Sequence, residues 1–83
     1  MKLSVAMITL NEEKKIEKTL KAVFGIADEI IIVDSGSKDK TVEIAEKYNA
    51  KVYYEKWLGF GKQKNLVIDK CSGEWILMID ADE

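Results

Sequence analysis

The 83-residue chain predicts an α/β fold, half of a doubly wound parallel sheet in the order βαβαβαβ. Three observations carry that prediction. Four short apolar runs alternate with three stretches of helical spacing. The last run, Trp75 to Ile79, is continuous rather than alternating, as in a parallel strand covered on both faces. Polar residues cluster just after the runs end, and open α/β sheets bind ligands at the carboxyl ends of their strands. Right-handed crossovers make all four strands parallel. The natural sheet order is then 3-2-1-4, with the switch point between strands 1 and 4.

Leu3 to Thr9 is the first strand. Asn11, followed by Glu12 and Glu13, reads as a helix cap with acids in the first turn. Ile16, Leu20, Val23 and Phe24 make one apolar stripe, and Gly25 is placed to end that helix. Glu29 to Val33 is a second buried strand ending at Asp34, and Ser35-Gly36-Ser37 turns the chain. Asp39 or Ser37 caps the next helix, whose inner face carries Val42, Ala45 and Tyr48, with Asn49 closing it. Lys51 to Glu55 is a shorter third strand with Val52 and Tyr54 on one face. The loop Lys56 to Gly61 is unusually rich in aromatics and glycine. A third helix, about Lys62 to Cys71, turns Leu66 and Val67 inward and stops at Ser72-Gly73. The fourth strand leads to Asp80.

Composition narrows the function classes. The chain is 47% hydrophobic and 34% charged, as in a soluble globular protein, and bounds at most one small domain, residues 1–83. The net charge of −2 leaves no basic footprint for nucleic acid. One cysteine, Cys71, permits no internal disulfide, and a reducing, cytoplasmic setting fits. With no histidine, a cysteine-protease site and a His-based zinc site are excluded. The N-terminus is too short and interrupted for a signal peptide, and no run approaches a membrane span. Because the chain stops one residue past Asp82, the expectation is an N-terminal fragment of a longer protein.

The predicted topology gathers three strand ends on one rim: Thr9, Asn11 and Glu12; Asp34, Ser35 and Gly36; Asp80 and Asp82. Spaced one residue apart in an extended segment, Asp80 and Asp82 point to one side. Two hard oxygen ligands suit Mg²⁺ or Mn²⁺ holding a substrate's phosphates. A solvated acidic turn is the plainer explanation of the same spacing. Asp34 suits a base N–H or ribose hydroxyls, and Gly36 leaves room for a ligand to approach. Lys62 and Lys64, near a helix start, suit phosphate oxygens, although either alone is more often a surface charge. No Walker loop is present. Gly59-Phe60-Gly61 lacks the third glycine of a dinucleotide fingerprint and follows the wrong strand.

Three motifs, Met7-Ile8-Thr9-Leu10-Asn11-Glu12, Ile32-Val33-Asp34-Ser35-Gly36-Ser37-Lys38-Asp39-Lys40-Thr41 and Ile79-Asp80-Ala81-Asp82, resemble the donor-binding half of family 2 glycosyltransferases. These are inverting enzymes of the GT-A fold that use nucleotide-diphosphate sugars. Trp57 to Asn65 and Asp80 to Glu83 further resemble the bacterial branch containing lipopolysaccharide-core β-glucosyltransferases. The resemblance implies that Thr9 and Glu12 border a uridine pocket and that Asp34 contacts the uracil or ribose. Lys64 stands where the family often has a basic residue near the nucleotide. Asp80 would face the ribose or the metal-bound phosphate, with Asp82 the principal metal ligand. Two departures stand out. Ser35 stands where many relatives carry a second Asp, and the family's general base and acceptor region lie downstream of the metal motif.

The expected whole is thus a transferase of a hexose from a UDP-sugar to a cell-envelope glycan or lipid-linked acceptor. It would be cytoplasmic, with the parent peripheral at the inner membrane. Inverting transfer needs a base for the acceptor hydroxyl's proton. No residue here is placed for that, so the 83-residue chain alone is expected to be inactive, and sugar transfer from a UDP-sugar would overturn this. Two other classes stay open. Haloacid-dehalogenase-type phosphatases also use Asp-x-Asp after a buried strand, and covalent aspartyl-phosphate trapping separates them. A non-catalytic half-domain would instead fold or oligomerise, self-associating through the exposed edge of strand 4.

Overall fold

A computed structural model describes residues 2–80. Seven elements follow in the predicted order: β1 (Leu3–Thr9), α1 (Glu13–Phe24), β2 (Glu29–Asp34), α2 (Thr41–Lys47), β3 (Lys51–Tyr54), α3 (Phe60–Asp69) and β4 (Trp75–Met78). The strands form one parallel sheet in the order β3-β2-β1-β4. Side chains alternate along each strand, so the central strands feed two cores. Val5, Met7, Ile30 and Ile32 face α1 and α2, where Ile16, Leu20, Val23 and Ala45 meet them. Ala6, Ile31 and Val33 face the other way and meet Val67 of α3. Among the described residues, no helix is long and apolar enough to cross a membrane.

Several local expectations need correction. Asn11 does not cap α1. It adopts a left-handed φ of 53°, and Glu12 occupies the cap position with no side-chain cap bond. Gly25 ends α1 in ordinary right-handed geometry, so its conformational freedom is not what stops the helix. Phe24 falls off the buried stripe and stays half-exposed, edge-on to Tyr48. Asn49 does close α2, through a φ of 60°. The third helix starts at Phe60 and ends at Asp69, earlier at both ends than its apolar pattern suggests. Tyr54 is exposed although Val52 packs inward, because β3 is an edge strand. β4 is likewise an edge, and Trp75, Ile76 and Leu77 are all exposed rather than covered on both faces.

The rim at the amino ends of the strands is tied by Glu29. Its Oε2 accepts bonds from the Ser4 hydroxyl, the Ser72 N–H at 2.6 Å and the Ser72 hydroxyl at 2.9 Å. Lys2 Nζ donates to Ser72 Oγ at 2.8 Å, and the Gly73 N–H donates to Ser4 Oγ at 2.8 Å. Burial pushes the Glu29 carboxyl up, but these donors and the Lys2 charge outweigh it and hold the pKa at about 2. This clamp delivers the chain into β4, whose first bond runs from the Trp75 N–H to the Lys2 carbonyl at 3.1 Å.

Candidate functional site

The opposite rim carries the candidate site. Thr9 and Asp34 are register partners at the ends of adjacent central strands. Both side chains share the parity of the residues facing α1 and α2, so they meet, and Thr9 Oγ1 donates to Asp34 Oδ1 at 2.6 Å. Asp34 is only 3% exposed. Its Oδ1 also accepts the Ser37 hydroxyl at 2.6 Å, while Oδ2 accepts the N–H groups of Gly36 at 2.9 Å and Ser37 at 2.7 Å. A carboxylate offers about four acceptor positions, and all four are taken from within the chain. Burial alone would raise this carboxyl's pKa. The bonds from Ser37, Thr9 and Gly36 prevail and hold it below the usual range. Asp34 thus organises the turn after β2 around its own charge, and its buried carboxylate leaves no acceptor position free for a base or a ribose.

The turn is sewn to the loop after β1. The Asn11 N–H donates to Ser37 Oγ at 2.8 Å, and Asn11 Oδ1 accepts the Lys38 N–H at 2.8 Å. The Glu12 N–H donates to Thr41 Oγ1 at 2.8 Å and the Glu13 N–H to Asp39 Oδ2 at 3.2 Å. Asp39 Oδ1 accepts from both the N–H and the hydroxyl of Thr41. Asp39 is therefore not the cap residue of α2, a position Lys40 takes without a side-chain bond, but its carboxylate accepts N–H groups at the starts of two helices. Gly36 needs its glycine: its φ is 105°, and an added Cβ would sit 3.3 Å from the Tyr54 ring.

Ser35 takes the other face. It has the parity of Val33, toward α3, and its hydroxyl accepts from Gln63 Nε2 at 3.1 Å. Between β1 and the β3–α3 loop lies a groove of about 480 Å³, lined by Ile8, Thr9, Leu10, Glu12, Trp57 and Phe60. The two aromatic rings meet edge to face at 5.0 Å. Lys62 and Lys64 project from the first turns of α3 and are exposed, with Lys64 Nζ lying 5.9 Å from the Phe60 centroid.

Asp80 is exposed, two residues beyond the last paired residue of β4. The pairing of Ala6 with Met78 and the bond from the Ile79 N–H to the Ala6 carbonyl at 3.1 Å carry the chain toward the level of Ile8. Asp80 thus arrives at the same end of the sheet as Asp34, with β1 between their strands. Asp82, the other predicted metal ligand, lies outside the described residues. Among the described residues, no group of three or more potential metal-ligating side chains converges. The donor chemistry nonetheless fits Mg²⁺ or Mn²⁺, which commonly take one or two carboxylates and complete their shell with phosphate and water. Asp80 is such a carboxylate.

Ser37, Thr41 and Gln63 matter more than the sequence suggested. Thr41 and Gln63 left one signal: each stands four residues before a buried apolar residue, Ala45 and Val67, and so falls on its helix's inward face. Among the described residues, no buried side-chain polar atom lacks a partner.

The family described as Glycosyl transferase family 2 matches residues 4–83. An uncharacterized glycosyltransferase of Rickettsia bellii is 51% identical over 82 residues, 99% of this chain and 28% of its own length. The lipopolysaccharide core biosynthesis glycosyltransferase LpsC of Rhizobium meliloti is 40% identical over 86 residues, covering 98% of this chain and 32% of that protein. Among solved structures, glucosyl-3-phosphoglycerate synthase of Mycobacterium tuberculosis matches with a TM-score of 0.85 at 29% identity, over 99% of this chain and 35% of that one. The same enzyme in complex with Mn²⁺, uridine diphosphate and glucosyl-3-phosphoglycerate gives a TM-score of 0.82 at 28% identity, over 96% of this chain and 33% of that one. The chain therefore spans about a third or less of the relatives it matches.

Proposed function

The chain belongs to glycosyltransferase family 2, and from that premise we propose that its rim is the donor site of an inverting hexosyltransferase using a UDP-sugar. The observation that carries the reading is the convergence of the ends of β1, β2 and β4 on one rim, through the Thr9–Asp34 pair and the run of β4 beside β1. The uridine complexes of the mycobacterial enzyme support the donor class. Its Mn²⁺ and Mg²⁺ complexes support the cation.

The residues divide into supports and contacts. Thr9, Asp34 and Ser37 hold the turn. Asn11 and Glu12 hold the loop after β1 against it, and Ser35 and Gly36 present backbone and hydroxyl toward the nucleoside. Lys62 and Lys64 meet phosphate oxygens. Asp80, with Asp82, would hold Mg²⁺ or Mn²⁺. Bound there, the cation supplies Lewis-acid neutralisation of the departing diphosphate. The reading includes a cell-envelope glycan or lipopolysaccharide-core acceptor in the longer protein, reached from the cytoplasmic face of the membrane.

Titration with UDP, with and without Mn²⁺, followed amide by amide, tests this. Shifts are expected at residues 10–12, 35–37 and 57–64 and at Asp80, with the last dependent on Mn²⁺. Shifts confined to the Glu29–Ser72 rim, or none at all, would sink the donor-site reading. The exposed apolar edge of β4 also supports self-association of the 83-residue chain. Sedimentation at several concentrations should show a dimer, and a strictly monomeric species removes that part of the proposal.

A further inference from the structure

The groove beside β1 has two unlike walls. One is the end of β1, held by sheet pairing and by the Thr9–Asp34 bond. The other is Trp57 and Phe60, at the end of an irregular five-residue connection that passes through Gly59 at a φ of 104°. A loop of that kind has many accessible shapes, so something must hold it in one.

Gln63 does this. It lies in the first turns of α3 and is 0% exposed. Its Oε1 accepts the Leu58 N–H at 3.2 Å, and its Nε2 donates to Ser35 Oγ at 3.1 Å. The Ser35 N–H in turn donates to the Thr9 carbonyl at 3.0 Å. The bonds run Leu58–Gln63–Ser35–Thr9, from the aromatic wall to the β1 wall. Burying an amide is costly unless both of its ends are paired. An apolar residue would fill an inward helix position without that demand. The amide is explained by the two segments it joins. The aromatic wall it supports is a unit, since the two rings meet edge to face, yet Trp57 is 50% and Phe60 64% exposed. Exposed ring faces in a groove that Glu12 also lines suit a planar base with a polar edge.

We propose that Gln63 is a positioning residue of the donor site, setting the separation of the Trp57–Gly59 loop from the Ser35 turn and hence the width of the groove that takes the donor's nucleoside. This rests on the donor-site reading above. Gln63→Met keeps the length and fills the space but makes neither bond. It is expected to speed hydrogen exchange at the Leu58 amide. It should weaken UDP binding roughly tenfold, the equivalent of leaving one buried polar group unpaired, and leave Mn²⁺-pyrophosphate binding unchanged. Val67→Ala, which opens a cavity in the same helix, should lower the melting temperature without this split. Gln63→Asn, one methylene too short to span both partners, serves if Gln63→Met does not fold, and is expected to give the same split. UDP affinity equal to that of the unmutated chain would overturn the proposal, as would a parallel loss of UDP and pyrophosphate. Failure of the unmutated chain to bind UDP would overturn the donor-site reading and this proposal together. The unmutated control tells the two failures apart.

Discussion

Gly73→Ala is expected to destabilise the fold by about 3 kcal/mol, through overpacking against atoms that have little room to yield. An added Cβ would stand 2.5 Å from Ser4 Oγ, 2.9 Å from the Lys2 carbonyl oxygen and 2.9 Å from the Ser4 amide nitrogen. Two of those three atoms are backbone, one in β1 and one in the residue just before it, and β1 is the strand at the centre of both cores. The third, the Ser4 hydroxyl, is held by the Glu29 carboxylate and by the Gly73 N–H itself. The chain around residue 73 must therefore back away from β1. The nearest casualty is the bond from the Trp75 N–H to the Lys2 carbonyl. A domain of this size holds about 4–12 kcal/mol in total, so the loss is large. Urea unfolding should show a lower midpoint, and amide exchange should quicken first in residues 75–79. A midpoint within error of the unmutated chain would show that β1 yields more easily than this geometry allows. Because β4 leads directly to Asp80, the same variant should lose the Mn²⁺-dependent part of its response to UDP.

The legibility of this chain follows from which forces are local. Strand and helix order was readable because Val5, Met7, Ile16, Leu20, Ile30 and Ile32 fall at the periods their elements require, and parallel crossovers leave few arrangements of four strands. The convergence of Thr9, Asp34 and Asp80 on one rim followed from topology alone. What escaped was the hydrogen bonding across loops. Nothing in the spacing of Asn11 and Lys38, or of Glu12 and Thr41, marks them as partners, since such bonds depend on where two turns lie in space. Asn11 shows the cost: its type and place suggested a local cap, yet it bonds residues 26 and 27 positions away. For β4 the two sequence signals disagreed: its apolar run suggested cover on both faces, while the half-sheet topology made it an exposed edge, and the edge is what the structure has.

Asp34→Ala is expected to cost about 3 kcal/mol or more, since it leaves two hydroxyls and two backbone N–H groups without their shared acceptor in a largely dry position. Asp34→Asn should cost less, about 1–2 kcal/mol. The Asn oxygen can accept the two N–H groups while the Thr9 and Ser37 hydroxyls rotate to accept from its NH₂, but the charge that strengthens all four bonds is gone. The pH dependence separates a charge effect from a packing effect. The Asp34 carboxyl lies below its ordinary value of 3.8 in the folded chain, so the unfolded chain takes up the proton first. The stabilisation is complete above the unfolded value and drains away as the pH falls through the folded one. Stability of the unmutated chain should thus fall below about pH 4, and in Asp34→Asn this component of the fall should be absent. Urea midpoints at pH 7 and pH 3 measure the difference. An equal fall in both would assign the acid sensitivity to other carboxylates, Glu29 first among them. UDP binding is expected to weaken in Asp34→Ala with the order of the Ser35–Ser37 turn. A variant that keeps its folded turn yet loses UDP would instead make Asp34 a direct contact.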